Sequence, residues 1–213
     1  MLNFLRRLFA RSPVEPITGL DPERTRLVVG LGNPGPEFAE TRHNVGFRCV
    51  EELARRCGAV WQDKVDTLGS LVAVAHPDPR LTLVLAKPHT FMNRSGKAVK
   101  DLHEFLKLPL ANCLIVYDEM DLALGTLRMR KRGSPGTHNG MRSVVASVDS
   151  EDVPRLRIGI GQASAGGATD HVLSEFAAEE REVADELIAR AADAVFAWAK
   201  EGAEVAMNRY NKS

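Results

Sequence analysis

The sequence of 213 residues lacks the features of several protein classes. No run approaches the ~18 apolar residues of a membrane span. Arg6 and Arg7 interrupt the apolar N-terminal stretch MLNFLRRLFA, which leaves no core for a secretory signal. Aromatic residues make up only 6% of the chain, but 44% of its residues are apolar and 26% are charged, which is typical of a packed domain rather than a disordered one. We therefore expect one domain that makes no membrane contact.

Cysteine is scarce, and its spacing is uninformative for metal binding. Cys49, Cys57 and Cys113 form no CxxC motif. If Cys49 and Cys57 share one helix, they lie about 12 Å apart along its axis, too far for a disulfide. The histidine of His103-Glu104 has no second histidine one helical turn later, so the chain lacks the zinc-protease motif. These absences predict reduced thiols, no metal and a cytoplasmic location.

The sequence also lacks net charge, with 28 basic and 28 acidic residues. However, no acid lies between Asp121 and Asp149, a stretch that contains five basic residues. A local basic patch attracts a polyanion even when the total charge cancels, because salt confines each field to about 8–10 Å. A solvated basic strand is the alternative interpretation. The basic residues are Arg128, Arg130, Lys131, Arg132 and Arg142.

Residues 1–25 are expected to form a flexible N-terminal extension, followed by one domain at 26–213. The extension is basic and amphipathic up to Arg11 and then contains Pro13, Pro16 and Pro22. Its acid-poor start is similar to an organelle transit peptide. A bacterial leader and a start codon assigned too early are the open alternatives.

From Arg26 onward, apolar runs alternate with helical patterns, which predicts an α/β layered fold. The expected helices cover 44–57, a segment capped by Ser95, a segment from a Thr137 cap to about 148, and one long helix over 178–208 with Val183 and Val205 facing inward. The expected strands are 27–29, 65–75, 81–86, 114–117, 126–130 and 155–160.

The segment Gly30-Leu31-Gly32-Asn33-Pro34-Gly35 fits the dinucleotide fingerprint G-x-G-x-x-G after a strand. That motif presents backbone N–H groups to a pyrophosphate, and Pro34 and Pro36 remove two of these donors. The expected acidic residue ~20 positions later falls inside a predicted helix. We therefore expect no nucleotide cofactor. Because the G-x-S-x-G motif is absent too, a hydrolase of this sequence would use water as the nucleophile.

Polar side chains flank several predicted strands. In an open α/β sheet the loops at the strand carboxyl ends meet in one crevice, so these side chains are expected to lie together. A histidine beside a strand-end aspartate is the arrangement of a general base, and carboxamides donate to a developing oxyanion. Taken singly, each residue is as well explained by a helix cap or a turn. The residues are Asn33, His43, Asn44, Asn93, Asp118, His138 and Asn139.

Four segments closely resemble the bacterial-type peptidyl-tRNA hydrolase family: VVGLGNPGPEFAETRHNVGF, KPHTFMNRSGKAV, YDEMDLALGTLRMRKRGSPGTHNGMRSV and RLRIGIG. The resemblance spans about Leu27 to Asn208. It implies a monomeric three-layer α/β sandwich around a mixed twisted sheet. It also implies hydrolysis of the ester that joins a peptide to the terminal ribose of tRNA, in the recycling of tRNA during translation, without metal or cofactor.

The resemblance implies a role for each matching residue. His43 would be the base, Asp118 would orient it, and Asn33 would contact the substrate near the ester. Arg130 and Arg157 would hold the tRNA 5′-phosphate, for which the bidentate guanidinium is suited. Further substrate contacts would come from Phe38, Asn44, Met92, Asn93, His138 and Asn139.

Two positions depart from the family pattern. Phe38 stands where family members commonly have Tyr, so a hydroxyl role is absent there, and Thr137 stands where a second Gly is common. Two other functions stay open from sequence. A plant organelle paralogue of this family acts as a group II intron splicing factor, which would keep the fold without the chemistry. A nucleotide-binding oxidoreductase is disfavoured by the two prolines.

Overall fold

The computed structural model describes residues 16–163 and 167–211. The basic amphipathic part of the predicted extension lies outside the described residues. Seven strands are present in this part of the chain: β1 (Thr25–Gly30), β2 (Trp61–Lys64), β3 (Ser70–Asp78), β4 (Leu81–Pro88), β5 (Cys113–Glu119), β6 (Leu127–Arg130) and β7 (Arg155–Gly159). The helices are α1 (Val45–Cys57), α2 (Val65–Leu68), α3 (Ser95–Leu106), α4 (Asn139–Val148), α5 (Ala168–Leu173), α6 (Arg181–Glu201) and α7 (Ala203–Tyr210).

The strands form one mixed sheet in the order β2-β3-β4-β1-β5-β7-β6. Strands β4, β1, β5 and β7 are mutually parallel, whereas β2, β3 and β6 join by antiparallel pairs. The central strands β1 and β5 are almost entirely buried because helices cover both faces of the sheet. The predicted mixed sheet is confirmed.

The chain reverses its direction of travel across the sheet between β1 and β5. After β1 it builds β2, β3 and β4 on one side, and then crosses to β5 on the other. A crevice forms outside the carboxyl ends of the strands at such a switch point. Asn33 follows β1 and Asp118 lies near the end of β5, so both residues lie at this crevice.

Two apolar cores lie on opposite faces of the sheet. One is formed by α1, α6 and α7, with Val50, Leu187 and Trp198 among its buried side chains. The other is formed by α3 and α4, with Leu102 and Met141 among its buried side chains. Helix, sheet and helix therefore make three layers, as the resemblance implied.

The predicted strand over 65–75 is wrong in its first part. Residues Val65–Leu68 form a helical turn, and the strand begins only at Ser70. The Val65 N–H donates to Asp63 Oδ1 over 2.9 Å, and Gly69 ends the turn in the left-handed conformation at φ 61°. An Asx turn and a glycine thus outweigh the β-branched composition of the segment.

The two predicted helix caps differ from the structure. Ser95 is the first residue of α3 rather than its cap, and its hydroxyl donates to the Met92 carbonyl over 2.9 Å. His138, not Thr137, caps α4. Its ring nitrogen accepts the Met141 N–H, which gives it the role that Thr137 was predicted to have.

The predicted long C-terminal helix is divided into α6 and α7 at Gly202, which has φ 90°. The break resets the helical phase, and Val205 is exposed in consequence. Val183 lies in the first turn of α6 and is exposed as well. The prediction that both valines face inward is therefore wrong.

Among the described residues before β1, Ile17 is buried in the core formed with α3 and α4, whereas most of its neighbours are exposed. The three cysteines are free thiols, as predicted. Among the described residues, no helix combines the length and apolar character needed to cross a bilayer.

Candidate active site

The site is built around a hydrogen bond between residues 75 positions apart. His43 lies in the 3₁₀ turn Arg42–Asn44 just before α1, and Asp118 lies near the end of β5. His43 Nδ1 is 2.8 Å from Asp118 Oδ1. Because an ionised carboxylate only accepts, Nδ1 carries the proton and donates. The Nε2 atom then has a free lone pair, and it has no hydrogen-bond partner among the described residues.

A second histidine contacts the same carboxylate oxygen. His138 Nε2 lies 2.9 Å from Asp118 Oδ1. On the other side of the ring, Nδ1 accepts the Met141 N–H over 3.1 Å, so the proton is on Nε2 and is donated to Asp118. The neutral tautomer of His138 therefore satisfies both contacts at once. Tyr117 packs against the same ring, with centroids 4.6 Å apart.

The electrostatics of Asp118 follow from this double contact. Burial of the carboxyl group raises its pKa, but the electrostatic interactions and hydrogen bonds with His138 and His43 together outweigh burial. The pKa of Asp118 therefore lies well below its ordinary value. An ionised Asp118 fixes the tautomer of His43 and stabilises the imidazolium that forms when His43 takes a proton.

Two asparagines form a compact network beside His43. The Asn33 N–H donates to Asn44 Oδ1 over 2.8 Å, and Asn44 Nδ2 donates back to the Asn33 carbonyl over 3.0 Å. Asn33 Oδ1 accepts the Met92 N–H over 2.9 Å. These bonds use the oxygen of the Asn33 amide, so its Nδ2 donor is left without a partner among the described residues.

Gly140 brings the α4 side of the site into contact with Met92. A Cβ placed on Gly140 would overlap Met92 Sδ and would lie 2.9 Å from Leu31 Cδ1 and 3.0 Å from His138 Cε1. Only glycine allows this approach. Met92 therefore lines the site between the segment after β4 and the beginning of α4.

The other predicted substrate-contact residues lie next to site residues along the chain or shortly after β1. Asn93 and Asn139 are exposed, and neither side-chain amide has a hydrogen-bond partner within the described part of the chain. Phe38, in the 3₁₀ turn Pro36–Phe38, is half-buried. Their roles stay predictions, but both asparagine amides are free to bind a ligand.

The two arginines predicted as a phosphate clamp lie on the strand pair β6–β7. Arg157 is directly opposite Arg128, whereas Arg130 is opposite Arg155. Arg157 is also in register with Tyr117 of β5, so Tyr117, Arg157 and Arg128 form a row at one level of the sheet. Arg130 lies diagonal to Arg157 on the same face, a spacing of about 7–8 Å that long side chains can bridge.

The arginine donors differ in availability. Arg157 Nη1 donates to Glu119 Oε2 over 3.0 Å, and its Nε is buried without a partner among the described residues. Arg128 Nη1 donates to the carbonyl of Asn211 over 3.1 Å. Arg130 is exposed and makes no ion pair with any described residue. The guanidinium donors of Arg130 therefore have no partner in the part of the chain that the structure describes.

Sequence reasoning missed two buried arginines that anchor the loops of the site. Arg155 donates to four backbone carbonyls, two of them in the loop between β6 and α4 that leads to His138. The acceptors are the carbonyls of Gly133, Ser134, Glu151 and Val153. The alternation Arg155-Leu156-Arg157 predicts one face for both arginines but does not indicate that one of them is buried.

Arg42 anchors the other side of the site. It is buried, pairs with Glu180, donates to the Ile160 carbonyl over 3.0 Å and lies 4.5 Å from the centroid of the Phe176 ring. Its own N–H donates to the Ser174 carbonyl over 2.9 Å. These contacts hold the turn that carries His43 against Ile160, Ser174, Phe176 and Glu180.

His43, Asp118 and His138 also have the donor set of a metal site, since their ligand atoms lie within 4.8 Å of one another. Both facing ring nitrogens already bond to Asp118, so a metal would replace two hydrogen bonds and their protons. The three side chains have the geometry both for a bound metal ion and for the two hydrogen bonds to Asp118. A chelator experiment distinguishes these two states.

The fold and the site together define a three-layer α/β protein in which a buried carboxylate, Asp118, contacts two histidines, His43 and His138, at the carboxyl end of β5. A family model described as peptidyl-tRNA hydrolase matches residues 27–213. The peptidyl-tRNA hydrolase of Chloroflexus aggregans is 48% identical over 187 residues, which cover 87% of this chain and 98% of that protein. That of Caldanaerobacter subterraneus is 45% identical over 187 residues with the same coverage.

A solved structure agrees with the sequence relatives. The crystal structure of peptidyl-tRNA hydrolase from Acinetobacter baumannii matches with a TM-score of 0.83 and 34% identity, covering 91% of this chain and 97% of that one. The chain belongs to the peptidyl-tRNA hydrolase family.

Proposed function

We propose that this protein hydrolyses the ester bond between peptide and tRNA with a water molecule that His43 deprotonates. The observation that carries the proposal is the 2.8 Å bond from His43 Nδ1 to Asp118 Oδ1, which leaves Nε2 as a free base. A positioned general base typically contributes 10²–10⁴-fold to the rate. Membership of the peptidyl-tRNA hydrolase family supports the ester as the bond cleaved.

The reaction follows from the arrangement of donors and acceptors. His43 Nε2 takes a proton from water, and the resulting hydroxide attacks the ester carbonyl. The imidazolium is stabilised by Asp118 and then gives its proton to the departing ribose oxygen. The free Nδ2 of Asn33 is the donor that we assign to the carbonyl oxygen as it gains negative charge. Asn44 holds Asn33 in place through their reciprocal hydrogen bonds.

The remaining predicted residues divide between the two parts of the substrate. We assign Asn93, Met92 and Phe38 to the peptide side and Asn139 to the acceptor end of the tRNA, beside His138. Arg130 and Arg157 then bind the 5′-phosphate, supported by their common face on β6–β7 and by the free donors of Arg130. We further propose that the enzyme acts as a monomer in the cytoplasm.

The test is release of N-acetyl-amino acid from N-acetyl-aminoacyl-tRNA by the purified chain, with and without a chelator. We expect cleavage in both conditions, and we expect His43→Ala to reduce turnover at least 10²-fold while tRNA binding persists. Full activity of His43→Ala would refute the mechanism. Activity lost in the chelator and restored by metal would replace it with a metal mechanism at His43, Asp118 and His138. An RNA-binding protein without activity would instead match the splicing-factor alternative.

A further inference from the structure

Tyr117 of β5 is a buried residue whose hydroxyl has no hydrogen-bond partner among the described residues. A buried tyrosine hydroxyl usually has one. The fully enclosed side-chain oxygen and nitrogen atoms without a partner in the described part of the chain belong to Ser70, Thr90 and Arg157. The Tyr117 hydroxyl is not among them, so it keeps contact with solvent. It is therefore an accessible polar group for which the described chain supplies no partner.

Tyr117 lies between the reacting centre and the arginines of β6 and β7. Its ring centroid is 4.6 Å from that of His138, which is 5.3 Å from the ring centroid of His43. Tyr117 is also in register with Arg157 of β7. Neighbouring strands lie about 4.8 Å apart, so these two side chains are adjacent on one face of the sheet. A substrate that extends from His43 to Arg157 therefore passes Tyr117.

The charge close to this hydroxyl is positive and has no counter-ion. Arg155 is buried near Tyr117, donates to backbone carbonyls and makes no ion pair with any described residue. Buried charges are normally paired. The carboxylates near Tyr117 are already bonded, since Glu119 accepts from Arg157 and Asp118 accepts from two histidines. The positive charge of Arg155 is therefore available to attract an anion.

The hydroxyl is a donor at neutral pH. Burial raises the pKa of Tyr117 to about 12, because it disfavours the charged phenolate, and the positive charges of Arg155 and Arg157 offset only part of this effect. The group therefore keeps its proton. It offers one O–H to an acceptor, and hydrogen bonds to the charged oxygens of a phosphate are among the strongest that a hydroxyl makes.

We propose that the Tyr117 hydroxyl binds the phosphodiester that links the terminal nucleoside of the tRNA to the rest of the acceptor strand. The ester that His43 acts on is on the ribose of this nucleoside, so the phosphodiester is the first anionic group beyond the ester. It is distinct from the 5′-phosphate that we assign to Arg130 and Arg157. The inference rests on the proposed function and adds one contact to it.

The experiment uses two small esters that differ in one group. One is the N-acetyl-aminoacyl ester of adenosine, the terminal nucleoside of tRNA, and the other is the same ester with a methyl phosphodiester at the 5′ position. We expect the unmodified protein to cleave the phosphodiester compound with at least five-fold higher kcat/KM, through a lower KM, because the hydrogen bond is made to a charged group. Tyr117→Phe, which keeps the ring against His138, should bring this ratio close to one.

Tyr210→Phe is the matched control. Tyr210 is the other tyrosine of the chain, ends α7 and packs against the core on the opposite face of the sheet. Its ratio should equal that of the unmodified protein. Because the same folded molecules cleave both esters, the ratio does not change if a variant contains less folded protein.

Each other outcome contradicts the contact. A ratio that stays high in Tyr117→Phe, with or without an equal loss on both esters, would show that the hydroxyl does not bind the phosphodiester. An equal fall of the ratio in Tyr210→Phe would show that the effect is not local.

Full-length N-acetyl-aminoacyl-tRNA, assayed in parallel, separates this inference from the proposed function. If the unmodified protein does not cleave the tRNA ester, it is the proposed function that fails. If it cleaves the tRNA ester but gives a ratio near one, or cleaves neither small ester, the phosphodiester has no subsite at Tyr117.

Discussion

His138 shows how a single side chain can serve both the local helix and the site. Its Nδ1 caps α4 and its Nε2 donates to Asp118. Loss of a cap costs about 0.5–2 kcal/mol, and asparagine is among the best caps. We therefore expect His138→Ala to lower both the free energy of unfolding and kcat, whereas His138→Asn should recover only the part of the stability that the cap supplies, and not kcat. Urea unfolding and steady-state kinetics measure the two effects, and full recovery of kcat in His138→Asn would show that the contact with Asp118 is dispensable.

The depressed pKa of Asp118 makes a second prediction about single residues. The carboxyl group binds its proton more weakly in the folded state than in the unfolded state, so its stabilising contribution is present above the ordinary value of ~3.9 and is lost as pH falls below it. We expect the free energy of unfolding to decline below about pH 4 in the unmodified protein and to decline less in Asp118→Asn. Parallel pH profiles from urea titrations would contradict the assignment.

The proximity of Asn33 and Asp118 was predictable because both lie at the carboxyl ends of parallel strands, which converge. His43 lies in the 3₁₀ turn before α1 rather than at a strand end, and the family resemblance, not the strand pattern, indicated its place beside Asp118. The cap at His138 was not predictable in the same way. Threonine is the better cap by intrinsic preference, and His138 can accept the Met141 N–H only because Asp118 takes the proton on its other nitrogen. That condition depends on a contact between residues 20 positions apart, which sequence periodicity does not report.

At the scale of elements, Arg42 fixes the 3₁₀ turn that holds His43. Replacing it with methionine leaves the buried Ile160 carbonyl without this donor, and an unsatisfied buried group costs about 1–3 kcal/mol. Glu180 is partly exposed and keeps the Ala177 N–H. We expect Arg42→Met to lose that much free energy of unfolding and to lower kcat as well, because the turn loosens.

The control for this prediction is Arg48→Met. Arg48 joins α1 to α6, but its partner Asp185 is mostly exposed, so the pair is worth at most about 1 kcal/mol. Urea unfolding should therefore separate the two variants. Equal losses of stability in both would show that burial of Arg42 has no special importance for the turn.

The helices and strands themselves were predictable to different degrees. The apolar runs that became β1 and β5 are buried on both faces and were recognised as strands. The segment before Ser70 was not, because Val65 and Leu68 suit a strand while Asp63 and Gly69 dictate a helical turn. The division between α6 and α7 depends on the backbone conformation of Gly202, and a glycine in a helical pattern does not by itself predict a break.

At the scale of the whole molecule, the end of the described chain closes an edge of the sheet. The side-chain amide of Asn211 accepts the Met129 N–H over 2.6 Å and donates to the Met129 carbonyl over 3.0 Å. It therefore makes the two hydrogen bonds to β6 that a residue of a further strand would make. Two such bonds contribute about 1–3 kcal/mol together. We expect Asn211→Ala to lose stability in this range and to aggregate more readily, because exposed strand edges pair with other chains. Unfolding and light scattering test both effects, and unchanged values would show that α7 protects the edge without Asn211.

The charge distribution of the whole molecule determines how it meets a polyanion. The chain has no net charge, so overall attraction does not account for binding of tRNA, and we propose that the local field of the β6–β7 face supplies it. A residue that contacts a phosphate releases a counterion, and its removal lowers the salt dependence of binding. We expect Arg130→Ala to weaken tRNA affinity at low salt and to reduce the slope of log affinity against log salt by about 1.

Arg24→Ala is the control, since Arg24 is an exposed arginine that pairs with Asp21 just before β1, at the opposite end of the strands from the site. If Arg24→Ala changes the slope as much as Arg130→Ala does, the attraction is spread over the surface and Arg130 does not contact a phosphate.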